Sequence, residues 1–504
     1  MKAHGLPVRT HEWQMWKQRY QSLDNMIGIL HDQVKEDVSR GATIKALLGK
    51  LREFAKNQFS FLYHGLDPRE GKRPYLEPVH QFPPDFVLEA TLDQVAYDLV
   101  VLQGAWYQRS LIAQGNTPME RTLTIADRLT YHALLPALQS GLLPFDPEQV
   151  TVLTYFQKAP HIRMIPYASV ALVGIPFTTL GEYEAGKEEE EFGKARDLLA
   201  IPHEVGHYVY QHGSFKGRRL PFELHDVLQG RPEWLLRWAE EIFADVYGCF
   251  IAGPVIVRDF QDLMKDNDIA SFVRDDNEHP TPALRPLLYV DALKILADRC
   301  EVKSTADYLL LIANRAEEKW DKYRRNRGQE VIDERRETIK EAIATAFNYL
   351  VPPGTVSVDH LWSHPDPDVE GAEAYENLYK SFYKYVSSEE NGLLARLQGI
   401  RALSEEPAES EGAAAPAAAG PHGPPEIGDK WDTPLEKIPA LRWLKQIRKN
   451  DEGHETSEEA ESRPESFEGQ ESYDLIPAEV WTLVVSMDGW ATNGPETQPE
   501  PKLT

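Results

Sequence analysis

The sequence predicts an α+β protein that is mainly α, and three observations predict it. Apolar residues recur at three- and four-residue intervals over residues 11–140, as in MIGILHDQV, ATIKALLGKLREFA and LDQVAYDLVVLQGAWYQRSLI, the spacing that lines one face of a helix. Residues 151–181 change character: VTVLTYF and YASVALVGIPFTTL are rich in β-branched and aromatic residues and edged by proline and glycine, as strands are. Helical spacing then returns beyond Ala195 and continues to Leu350.

The first stretch reads as a helical N-terminal region, residues 1–150. Its Trp and Tyr residues stand at helical spacing, where aromatic side chains fill a core far more often than they line a ligand groove. A second unit spans 151–300: the strands lead it, an acidic run at 188–191 forms a solvated connection, and helices follow from near Ala195 through Ile251 and again over 287–297. Helical pattern over 305–350, with Gly328 as a break, opens a C-terminal helical region at 301–403.

Residues 404–430, which contain SEEPAESEGAAAPAAAGPHGPPEIGD, are poor in large apolar side chains and read as a flexible linker. Beyond it, 431–504 form an acidic, weakly structured tail. Two apolar islands, WDTPLEKIPALRWLKQIRK and LIPAEVWTLVVSMDGW with Trp481 and Trp490, are too small to fold alone and dock on the body or bind a protein partner.

Composition removes several classes of function. The chain has 504 residues, more than one ordinary core needs. Lys and Arg number 54 against 80 for Asp and Glu, a formal charge of -26 that repels phosphates and anionic membranes. Nucleic acid is therefore no expected partner. The N-terminus lacks the continuous apolar segment of a secretory signal, and the longest apolar stretch, 167–180, is broken by Gly174 and Pro176 and falls short of the roughly 20 residues that span a bilayer. The expectation is a cytoplasmic protein without stable membrane insertion, with delivery by a specialised secretion machine left open. Cys249 and Cys300 are too few for a disulfide framework or a Cys-based zinc site and are expected to be reduced, buried thiols.

The chemistry is carried by His203-Glu204-Val205-Gly206-His207. A helix puts positions four apart on one face, so both imidazoles reach one zinc ion, and Glu204 points beside it as the base that activates the attacking water. A His-x-x-x-His pair needs a third ligand. Downstream, Glu241 and Asp245 stand four apart on a helical stretch. Glu241 completes a His, His, Glu set with a fourth position open, and Asp245 accepts a hydrogen bond from the distal nitrogen of a liganding histidine.

With these residues the chain resembles the gluzincin metallopeptidases, the thermolysin-like clan with an HExxH helix and an ExxxD or ExxAD helix. Glu241-Ile242-Phe243-Ala244-Asp245 is closest in form to the HtpX and CAAX-processing peptidases, whose transmembrane helices this chain lacks. The resemblance covers roughly residues 151–300. It implies a zincin-like core, one zinc ion per chain, a peptide or protein substrate, and an edge strand, here YASVALVGIPFTTL, that holds extended substrate. It also implies that His279, in the segment Glu278-His279-Pro280-Thr281-Pro282-Ala283-Leu284-Arg285, donates to the oxyanion, with Arg285 as electrostatic support.

Alternatives can be weighed in the same residues. A metzincin pattern requires Gly at 210 and His at 213, where Tyr210 and Gly213 stand. His212 and His225 also lie near the motif, and His212 reads as a surface or helix-end histidine. Glu240 neighbours Glu241 but has no aspartate four residues on. His279 before proline can equally cap the next helix. Two readings compete with a peptidase: a charged helix that binds no metal, and a catalytically idle zinc- or peptide-binding scaffold, against which the retained Glu204 argues.

Overall fold

The computed structural model describes residues 10–36, 38–66, 84–112, 117–145, 150–180, 197–265, 267–276, 278–300, 303–327 and 333–350, together with Gly115. The acidic run at 188–191, residues 351–403, the linker and the tail lie outside the described residues. Four long helices open the chain: α1 (Thr10–Gln33), α2 (Gly41–Gly65), α3 (Pro84–Ile112) and α4 (Thr117–Gln139). Three strands come after them, β1 (Thr151–Gln157), β2 (His161–Arg163) and β3 (Val170–Pro176). Next come α5 (Ala200–His212), a hairpin of β4 (Ser214–Phe215) and β5 (Arg218–Arg219), α6 (Leu220–Val227), α7 (Glu233–Arg237) and α8 (Ala239–Ala252). The described chain closes with α9 (Pro254–Lys265), α10 (Ile269–Phe272), α11 (Arg285–Asp298), α12 (Lys303–Asn326) and α13 (Asp333–Leu350). The protein is thus mainly helical α+β, and no described helix is long and apolar enough to cross a membrane.

The sheet order is β1-β3-β2, with β1 parallel and β2 antiparallel to β3. Here the structure corrects the sequence reading: YASVALVGIPFTTL supplies β3, which lies in the middle of the sheet. The edges are β1 and β2, the latter three residues long and too short to show any alternation. Strand alternation sends Val152, Phe156, Ile162, Ala171, Val173 and Ile175 into one core, shared with α4, α5, α8 and α11. Leu153, Tyr155, Val170 and Leu172 face a second core built with α1–α3. Burial on both faces explains why these strands read as nearly continuous apolar runs. It also puts α4 in one core with the helices of the second unit, although its residues precede 151.

Side chains close the β1 edge of the sheet and tie β2 to α3. On β1, the Gln108 amide donates to Phe156 O at 2.9 Å and accepts from Phe156 N at 2.7 Å, pairing as a neighbouring strand would. Asp127 accepts from Thr154 N at 2.9 Å and from Arg109 at 3.0 Å, and Arg109 donates to Thr154 O at 3.0 Å. On β2, the buried Arg163 donates to Asp98 of α3 at 2.8 Å and its guanidinium lies 4.3 Å from the Tyr97 ring. That pair pins the edge strand from behind.

Candidate metal centre

The centre is assembled mainly by two helices that touch at glycines. A Cβ on Gly206 of α5 would lie 2.7 Å from Ala244 Cα and 2.9 Å from Ala244 O on α8, inside the distance any real Cβ keeps. One on Gly248 of α8 would stand 3.4 Å from His203 Cα. The bare glycine and the small Ala244 let the backbones approach, which brings His203 and His207 of α5 level with Glu241 and Asp245 of α8. That is a packing reason for the Gly within HEVGH and the Ala within EIFAD.

His203, His207 and Glu241 offer donor atoms that all lie within 4.8 Å of one another, a group that can hold a metal ion. The two Nε2 atoms are 3.2 Å apart, His207 Nε2 is 3.4 Å from Glu241 Oε1, and His203 Nε2 is 3.7 Å from Glu241 Oε2. A tetrahedral ion with bonds of 2.0 to 2.1 Å requires donor separations of roughly 3.3 to 3.4 Å, so these residues fit such an ion.

Partners fix each donor. Asp245, 1 % exposed, accepts from Arg285 Nε and Nη2, both at 2.9 Å, and from Tyr289 Oη at 2.7 Å, and its Oδ1 is in ion-pair contact with His203 Nδ1 at 2.9 Å. Burial alone would raise its carboxyl, but Arg285 and His203 overcome this and hold it well below the usual carboxylate range. Arg285 also donates to Glu241 Oε2 at 2.7 Å and lies 3.3 Å from His203 Nε2. Glu241 is likewise lowered against the effect of its own burial, by Arg285 first and then by His207, His203 and His279. Glu240 is no member of the donor group: its Oε1 accepts from His207 Nδ1 at 3.0 Å and its Oε2 from Gln211 at 2.7 Å. Burial lowers the His207 pKa, yet Glu240 and Glu241 reverse this and raise it to about 9.

The remaining sequence candidates surround this group. Glu204 faces the sheet, its Oε2 accepting from the backbone N–H of Ile162 on β2 at 2.9 Å. His279 does not cap α11, which begins at a Leu284 N-cap without a side-chain bond. Its Nδ1 lies 2.9 Å from Asp276 Oδ2, and Asp276 Oδ1 accepts from His279 N at 2.7 Å. Its Nε2 is thereby turned toward the centre, 3.5 Å from Glu241 Oε1. His212 is away from the group, its ring against Phe145 and Tyr208, and burial followed by Arg219 pushes its pKa down to about 4. His225 sits in the open beside Asp226. Asp276, Tyr289 and Ile162 are contributors the sequence did not single out, and Glu240, weighed there only as a rival ligand, stands against His207 instead. A signal existed for two of them: Asp276 is three residues before His279, and Tyr289 is four after Arg285, on the same helix face.

Protein-family models, curated proteins and solved structures gave no match to this chain.

Proposed function

We propose that the chain is a zinc-dependent metallopeptidase with a gluzincin-like, zincin-type core, and that it hydrolyses peptide bonds in extended polypeptide. The supporting observation is the donor triangle of His203, His207 and Glu241 with Glu204 next to it, on the side where a sheet edge runs past. Those three residues would hold the zinc ion, which would supply Lewis-acid polarisation of the scissile carbonyl and of the attacking water. Glu204 takes the proton of that water and passes it to the leaving amine. His279, its ring held through Nδ1 by Asp276, donates from Nε2 to the carbonyl oxygen as negative charge develops. Asp245 and Glu240 hold the two liganding rings in orientation through their Nδ1 atoms, and Arg285 ties Glu241 to Asp245.

The site opens to solvent at His279 and Glu240, whose side chains are 41 % and 36 % exposed, so a polypeptide can enter from that side. The two cysteines, buried Cys249 and half-buried Cys300, fit a reducing, cytoplasmic setting. Metal analysis of the purified protein should give one zinc per chain. Glu204→Gln should retain that zinc while hydrolysis of an unfolded protein substrate falls by about 100-fold or more. Zinc without any Glu204-dependent hydrolysis would leave the idle scaffold, and absence of zinc would end both readings.

A further inference from the structure

β2 is an antiparallel strand whose inner neighbour is β3. In such a pair alternate residues turn both backbone groups toward the partner or away from it. Ile162 donates to Glu204, so its N–H faces away from β3, toward α5. Each face of the sheet is packed against one of the two cores, and this outward edge is where an extended chain can pair. The acceptor now in place is the Glu204 carboxylate at 2.9 Å, the usual separation of a strand N–H from the carbonyl oxygen of the next strand. The general base of the peptidase reading therefore stands where an added strand would put its carbonyl.

We propose that the Ile162 N–H is a shared donor: it holds Glu204 in the resting protein and is taken over by a substrate backbone carbonyl when an extended segment adds to β2. This deepens the metallopeptidase reading and rests on it. Substrate pairing and release of Glu204 become one event, so the substrate class is an unstructured polypeptide segment long enough to lie along β2. A dipeptide, which cannot span the strand and the metal centre together, leaves Glu204 tied down. Glu204 thus acts on bound chains of sufficient length and is held back in their absence.

The test is binding, measured on metal-free protein so that it does not depend on turnover. The probe is a fluorescein-labelled, uncharged peptide of ~10 residues made of alanine, serine and threonine, longer than a typical strand, read by anisotropy. Glu204→Ala removes the competing acceptor and should bind the probe about 3- to 10-fold more tightly than wild type, the scale of one net hydrogen bond. Glu204→Gln keeps an acceptor in place without the charge and should stay close to wild type. Hydrogen exchange supplies the second reading: in Glu204→Ala the Ile162 amide should lose protection and regain it with the peptide. Equal affinity for wild type and Glu204→Ala, equal affinity for the Ala and Gln variants, or no binding to any of the three overturns the shared donor. None of these results depends on zinc content or hydrolysis, so failure of the peptidase reading would show separately.

Discussion

Gly206 and Ala244 meet backbone to backbone, with no room for a methyl group between them. The α5–α8 contact that aligns the donors is therefore also the contact least able to absorb a change of volume. Gly206→Ala should destabilise the protein by about 1–3 kcal/mol, as overpacking does, and should weaken metal binding by separating the two helices. Thermal unfolding together with metal content checks both; an unchanged midpoint and full zinc occupancy would show that the helices part without consequence.

Asp245 is shared by Arg285, Tyr289 and His203. Asp245→Asn keeps shape and most donors satisfied but removes the charge, and should lower zinc affinity or activity by roughly 10- to 100-fold with the fold intact. Asp245→Ala leaves the buried Arg285 without its main partner and should cost about 3–5 kcal/mol in stability. Competition against a zinc chelator and chemical denaturation separate these effects. Equal behaviour of the Asn variant and wild type would remove Asp245 from the centre.

His207 has a pKa raised to about 9 in the metal-free protein, above its ordinary value near 6.5. The contribution of its protonated form to metal-free stability is fully present below about 6.5 and is lost as pH rises through about 9. Zinc needs the neutral ring, so binding expels that proton. Apparent zinc affinity should rise with pH, by up to tenfold per unit below about 9, while the metal-free protein loses stability over the same interval. Chelator competition and unfolding midpoints from pH 6 to 9.5 read the two trends; an affinity flat across that range would show that His207 is not protonated before the metal arrives.

Asp276 meets the centre through His279. Asp276→Asn should therefore reduce kcat by about 10- to 100-fold with zinc content and KM little changed, the signature of an interaction made in the transition state. A matching loss in His279→Gln, with no further loss in the double variant, would mark the two as one unit. Full additivity would separate them.

The features legible in the sequence are those set by a local period. HEVGH and EIFAD each carry their polar residues at helical spacing, so the grouping of His203, His207 and Glu241 and the contact of Asp245 with His203 could be read before any fold was known. Arg285 could be named but not weighed: its bridge between Asp245 and Glu241 depends on α11 crossing α8. Ile162 could not be seen, because a three-residue strand has no pattern and its bond to Glu204 spans 42 positions. The edge was assigned to β3 for the same reason. A long apolar run shows that a strand is buried, and burial on both faces points to the middle of a sheet and away from its edge.

The covering of the sheet edges by side chains, full on β1 and partial on β2, bears on how the chain avoids its neighbours. An open edge recruits any extended backbone, including that of another copy, and is the usual seed of aggregation. On β1 that hazard is removed by Gln108, Asp127 and Arg109, all buried. On β2 the blunting is slighter, a strand of three residues with Glu204 on its outward N–H. Variants that strip the β1 side, such as Gln108→Ala, are thus the ones in which self-association in concentrated solution should first appear.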